Sequence, residues 1–382
     1  MKNICLIIFT TLFLMFTIEG ITSIAYYQKK KPPYYLFSSS VEYLNRFIRE
    51  GKITGYHTNK NFYPLLTEIN KLRNNGDKAY PNYMYEPQLH HPNEKYYLSN
   101  IANSIIIGCN ESGYFNRWIS DEYGFRNPKN THKTVSDLTL IGDSFTEGAC
   151  QNEDGTIAGY LRSKNLKVAN LGKGGSGPLH QLATFVEYGN VFKSKKVIWI
   201  IYTGNDLRNL REEKTTKLSN YLDSNYSQNL SSNFILENNL LKKFLNTEYT
   251  NANIRLSKTM AKISSGGYGE SLDIIEAEQK ELKFFVEVAT RILNEVKNRN
   301  SVLKIVILGH VNYDGPIQKS TVKTIKNFAI SNKINYLEFT KNFLLKDKQL
   351  YSLTGPHFSV KGYRAIGREI HNWINLNKNK KL

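Results

Sequence analysis

Five short apolar runs mark the second half of the chain: 138–141 (LTLI), 166–171 (LKVANL), 197–202 (VIWIIY), 303–308 (LKIVIL) and the weaker 334–339 (INYLEF). Each is strand-length, and most are apolar on consecutive positions, the mark of a strand covered on both faces. Between 197–202 and 303–308 lies an insertion of roughly 95 residues, far beyond an ordinary crossover. Its first half, about 208–263, is polar with leucine pairs and reads as helical. SSGGYG at 264–269 is a break, after which Ile275, Leu282, Phe285, Ala289, Ile292 and Val296 recur at helical spacing, as a core-facing stripe does. Strands alternating with helices predict a parallel sheet with helices on both faces.

Residues 26–134 show no such alternation. They are rich in Pro and Tyr, with one amphipathic piece after Ser40 (Val41, Leu44, Phe47, Ile48) closed by Gly51. DEYGFRNP at 121–128 reads as a turn and an ordered loop, expected to pack against the end of the first strand.

At the N-terminus, Lys2 precedes an apolar run over 4–18, followed by Glu19 and Gly20. The run is short for a membrane span and the right length for the apolar region of a secretory leader. Ser23 and Ala25 offer a small-x-small cleavage site; Ile21, Ile24 and Ala25 equally extend the stretch toward an uncleaved anchor. Both alternatives place the rest of the chain outside the cytoplasm, periplasmic, secreted or anchored in the membrane. Of three cysteines, Cys5 falls in the leader, leaving Cys109 and Cys150 as one disulfide or two buried thiols. The formal net charge of +18 is spread over the chain with no basic arm interleaved with aromatics, so no nucleic-acid partner is expected. No Cys/His cluster has zinc spacing.

Chemistry gathers at the ends of the apolar runs. IGDSFTEG at 141–148 sets Ser144 directly after a buried strand, where ligands bind in open α/β sheets and where a following helix would point free N–H groups at a developing oxyanion. Thr146 stands where a G-x-S-x-G elbow would have its last glycine. NLGKGGSGP at 170–178 follows the second strand: Gly175 could donate an N–H and Asn170 could tie loops together, although in isolation a plain glycine-rich turn describes it as well. YTGND at 202–206 follows the third, where the Asn205 amide either reaches the same oxyanion or caps a helix. Asp143 is expected to bond neighbouring backbone, with Asp206 as a further support. His357, in GPHFSVKGYRAIGREI, sits in a loop before an amphipathic helix and is placed to take a proton from Ser144. His310 and the His90–His91 pair are assigned structural roles.

These four elements, in this order over about 135–373, resemble the SGNH/GDSL hydrolase superfamily. The resemblance implies a three-layer α/β/α domain with a five-stranded, mainly parallel, flavodoxin-like sheet and a helical insertion after the third strand. It divides the chain into a leader or anchor (1–25), an accessory region (26–134) and a hydrolase domain (135–378) with the insertion at about 208–300. It implies Ser144 as nucleophile, His357 as general base, and Gly175, Asn205 and the Ser144 N–H as oxyanion donors, with no metal or organic cofactor. One departure stands out. The family's usual acid, three residues before the histidine, is here Thr354. Either Ser144 and His357 form a dyad oriented by a backbone carbonyl, or another acid serves, with Asp347 and Glu338 nearest in sequence, or the site is degenerate.

The expected activity is ester hydrolysis through an acyl-serine. Acyl transfer to or from an envelope polysaccharide is a variant, so the expected partner is an ester or acylated-glycan substrate, with membrane association through the N-terminus. The alternative from another class is a non-catalytic envelope protein that binds glycan in a degenerate cleft.

Overall fold

The computed structural model describes residues 68–82, 96–243, 274–309, 316–339, 343–344, 347–353 and 356–379. The leader, the helix expected after Ser40, His90, His91, the 264–269 break, His310 and Thr354 lie outside them.

The centre is a five-stranded, all-parallel sheet: β4 (Ser136–Gly142), β5 (Val168–Asn170), β6 (Ser194–Tyr202), β7 (Val302–Leu308) and β8 (Asn335–Phe339), ordered β5-β4-β6-β7-β8. This is the sheet expected from the apolar runs, with β4 and β6 reaching further and β5 shorter than their runs. The chain winds outward from β4 both ways, so the carboxyl ends of β4, β5 and β6 meet at the reversal of strand order, the usual ligand crevice of such sheets.

The unbroken apolar runs are explained by two cores. Val197, Trp199 and Ile201 of β6, with Leu303, Ile305 and Ile307 of β7, share one core with α3 (Pro178–Tyr188), α5 (Ile274–Asn298) and α6 (Pro316–Ser331). Phe285, Ala289, Ile292 and Val296 of the expected stripe are buried there, and Trp199 stacks on Phe285 at 5.5 Å. Ile198, Ile200 and Val306 face the opposite way, onto α2 (Ile157–Ser163) and α7 (Val360–Asn379), whose Tyr363, Ile366 and Ile370 are buried. Between β6 and α5 the insertion contains α4 (Asp206–Glu213) and a 3-10 turn, Lys217–Leu222. Glu187 of α3 organises the stretch from 221 to 230, accepting from Tyr221 Oη, Ser227 Oγ and the Gln228 and Leu230 N–H groups.

Residues before 135 build a second, small sheet: β1 (Ala79–Pro81), β2 (Ile105–Ile107) and β3 (Arg117–Ile119). They are clamped to the larger one by polar contacts. Arg126 is buried and donates to the carbonyls of Gly148 (2.8 Å) and Gln151 (2.7 Å), and it pairs with Glu153. The Asn127 amide bonds both the N–H and the carbonyl of Asn170 at the end of β5. Asp121 accepts from the Tyr123 and Phe125 N–H groups and from Asn127 Nδ2, and burial raises its pKa to about 7. The DEYGFRN loop, expected against the end of the first strand, is bonded instead to the end of β5, the second, and to the turn after Ser144. Cys109 and Cys150 form a disulfide linking the same two parts.

Candidate active site

Ser144 opens α1 (Ser144–Glu147), a single helical turn at the carboxyl end of β4. Gly142 makes that exit possible. Its φ of 153° is open to glycine, and a Cβ there would overlap Thr146 Oγ1 and crowd the Ile200 carbonyl. Asp143 caps the turn, accepting from the Phe145 N–H at 3.0 Å, while its other oxygen is buried and unbonded. Burial raises its pKa to about 7.

His357 Nε2 lies 3.0 Å from Ser144 Oγ, although 213 residues separate them. The other face of the imidazole meets a residue that no sequence motif indicated. Glu111 Oε1 is 2.9 Å from His357 Nδ1, and Glu111 Oε2 accepts the His357 backbone N–H at 3.0 Å. A carboxylate can only accept, so Nδ1 carries the proton and Nε2 presents its lone pair to the serine hydroxyl. Phe145 backs the ring at 5.2 Å, itself packed on Tyr202 and Phe358. Burial alone would lower the His357 pKa. The charge and hydrogen bond of Glu111, with Asp143 and Glu147 behind it, outweigh that and hold it above 6.5.

The acids suggested by sequence proximity are engaged elsewhere, which corrects that expectation. Asp347 pairs with Lys361 at 2.5 Å, and Glu338 with Lys326 at 2.8 Å. Neither is bonded to His357, whose Nδ1 is taken by Glu111. A backbone carbonyl as the orienting group is corrected for the same reason. The available sequence signal was indirect. Cys109 was a possible partner for Cys150, six positions past Ser144, and an acid two residues from Cys109 is within about 7 Å along an extended chain.

The donor side is built by the next two strand ends. Asn170 Nδ2 donates to the Thr146 carbonyl and its Oδ1 accepts from the Gly172 N–H, tying the two loops together. Gly175 has φ +80°, a conformation that suits glycine, and its carbonyl accepts from Asn209 Nδ2 at 2.7 Å. Asn205 precedes α4 but its side chain does not cap it, and its Oδ1 is buried without a partner. Among the described residues no group accepts from the Ser144 or Gly175 N–H. Asp206 accepts the Tyr202 N–H at 3.0 Å, and burial holds its carboxyl well above the usual range.

Two further residues in the motifs face inward. Glu147 is buried, accepting from Asn82 Nδ2 (2.9 Å) and the Gly174 N–H (3.2 Å). Lys173 is buried 3.9 Å from it, donating to Asn100 Oδ1 and Asn82 Oδ1. Burial lowers the Lys173 pKa to about 8 against the pull of Glu147. Neither is singled out by the motifs, yet they key the GDS turn and the glycine-rich loop to the small sheet.

Residues 138–370 match the family GDSL-like Lipase/Acylhydrolase, more than half of the chain. The chain belongs to that family. Similar solved structures include the psychrotrophic esterase EstA from Pseudoalteromonas sp., at 10% identity and TM-score 0.38, covering 63% of this chain and 98% of that one. A GDSL-like lipase from Bacteroides thetaiotaomicron is 12% identical with TM-score 0.35, covering 63% and 88%. A search of the curated proteins found no match.

Proposed function

We propose that this chain is an exported serine ester hydrolase acting through an acyl-Ser144 intermediate. The observation that carries the reading is the continuous relay from Ser144 Oγ through His357 to Glu111. Ser144 Oγ attacks the ester carbonyl carbon as its proton passes to Nε2. The oxyanion is met by the Ser144 and Gly175 N–H groups and the Asn205 amide. The leaving alkoxide takes the proton from Nε2. Water then attacks the acyl group, gives its proton to Nε2, and Oγ departs with the proton returned. Glu111 fixes the tautomer and stabilises the imidazolium that forms twice per turnover.

Glu111 also removes the motive for a non-catalytic glycan-binding reading, which rested on Thr354 at the family's acid position. Export is proposed from the apolar leader, and the Cys109–Cys150 disulfide fits an oxidising compartment. The proposed substrate is an ester or an acylated glycan, and a sugar hydroxyl in place of water would turn hydrolysis into acyl transfer. A fluorophosphonate serine probe tests the core of this reading. Wild type should label and Ser144→Ala should not; equal labelling would refute an activated Ser144. Product analysis with and without a glycan acceptor separates transfer from hydrolysis.

A further inference from the structure

The disulfide lies against the relay itself. Cys150 Sγ is 3.5 Å from His357 Nδ1, and Glu111 is two residues beyond Cys109. One ligating atom from each of Cys109, Glu111, Cys150 and His357 lies within 4.8 Å of every other. Two sulfurs, one imidazole nitrogen and one carboxylate oxygen are a donor set that tetrahedral zinc takes, at about 2.0–2.3 Å from each atom. The sulfurs are withheld only by being bonded to each other.

Contacts other than the S–S bond hold this set together. The Gly108 N–H donates to the Asn116 carbonyl (2.8 Å) and the Asn116 N–H to the Cys109 carbonyl (3.1 Å). Asn116 Nδ2 then reaches the Gln151 carbonyl at 3.0 Å. Gln151 Nε2 donates to Ser112 Oγ at 2.6 Å, and Tyr114 Oη to Gln151 Oε1 at 3.0 Å. Opening the disulfide therefore leaves positions 109 and 150 facing each other.

We propose that Cys109, Cys150, Glu111 and His357 form a latent site for a thiophilic divalent cation of the zinc type, opened by reduction, whose occupancy silences the Ser144 site. A dithiol or phosphine reductant supplies two electrons to the Cys109–Cys150 bond. The sulfurs take up two protons; a dithiol closes to its own disulfide, and a phosphine takes an oxygen from water and leaves as its oxide. The cation then displaces both thiol protons to solvent, with no change in its own oxidation state. It takes the Nδ1 lone pair of the tautomer protonated at Nε2, together with one Glu111 oxygen. That tautomer presents N–H instead of a lone pair to Ser144, and Glu111 no longer orients the ring. The silencing rests on His357 being the base; the cation site does not.

Cobalt(II) titration of the full chain, in a Cys5→Ser background to remove the third thiol, tests the site without using activity. The phosphine-reduced protein should bind one cobalt with thiolate-to-cobalt charge-transfer bands and the strong visible bands of a tetrahedral ion. The oxidised protein should show neither. Glu111→Gln and His357→Gln should each weaken binding at least about 10- to 100-fold, the loss typical of even an outer-shell partner. Cys109→Ser with Cys150→Ser should abolish the sulfur bands. If that variant fails to fold, alkylating reduced wild type with iodoacetamide gives the same control. One equivalent of zinc should stop ester turnover by the reduced protein, and a chelator should restore it. Absence of stoichiometric sulfur-ligated cobalt overturns the site, as does binding indifferent to Glu111 and His357. Sulfur-ligated cobalt with undiminished turnover overturns the silencing.

Discussion

The two sheets use opposite materials. The five-stranded sheet is held by apolar side chains on both faces, and the segments that build it announce themselves as unbroken apolar runs. The small sheet has strands of three residues, and although Tyr96, Leu98 and Phe125 of its region reach the first core, polar contacts also tie it to the rest: Arg126 on the carbonyls of 148 and 151, Asn127 on Asn170, Asn82 and Asn100 on Glu147 and Lys173, Glu111 on His357. The large sheet carries Ser144 and the glycine-rich and Asn205 loops, while the small region carries Glu111, the carboxylate on His357. The site is completed across their boundary, so the region set apart as accessory in sequence is chemically part of it.

That comparison breaks most decisively at Glu111. Glu111→Gln keeps the shape and removes the charge, and turnover should fall about 10⁴-fold, the loss seen when a serine hydrolase loses its orienting acid. Asp347→Asn and Glu338→Gln should leave turnover unchanged. If either of them costs as much as Glu111→Gln, the polar region is not the source of the acid. The pH profile sharpens the point. Activity requires neutral His357, whose pKa Glu111 raises, so the acid limb of kcat/KM should lie above pH 6.5 in wild type and move to lower pH in Glu111→Gln.

On the large-sheet side, Asn205→Ala should lower kcat about 10²- to 10³-fold with little change in KM, as loss of one oxyanion donor does. A helix-capping role would instead lower Tm and spare kcat. Lys173→Met tests the seam as structure. It leaves Glu147 buried beside amides alone, and thermal or denaturant unfolding should show a loss of about 3–5 kcal/mol, the cost of breaking a buried pair from one side. The smallest effect is expected at Asp143→Asn, whose amide oxygen can still cap Phe145, so turnover should stay near wild type.

The same contrast explains what could be read from sequence. The sheet's strands followed from runs such as VIWIIY because burial on both faces leaves a compositional trace. Ser144 and His357 were legible through the motifs around them. Glu111 was not, because a buried carboxylate 246 residues from its partner obeys no local spacing. Its place is set by chain closure, through the disulfide and the Asn116–Gln151 contact. Asn205 could not be separated from a helix cap until its side chain was seen to be free of the helix. Lys173 and Glu147 carried charges that composition assigns to the surface, and only their mutual burial shows otherwise.

Because Glu111 and His357 stand 246 residues apart, their contact is completed late in synthesis. Glu111 leaves the ribosome early, and the imidazole follows only after every strand of the large sheet has emerged. A nascent polypeptide can assemble β4 to β8 in succession while that ring is still missing, and the Ser144–His357–Glu111 contacts must await docking of α7. Their formation is therefore a closing step of assembly, and a chain cut short at either end of that span would build much of its interior without them.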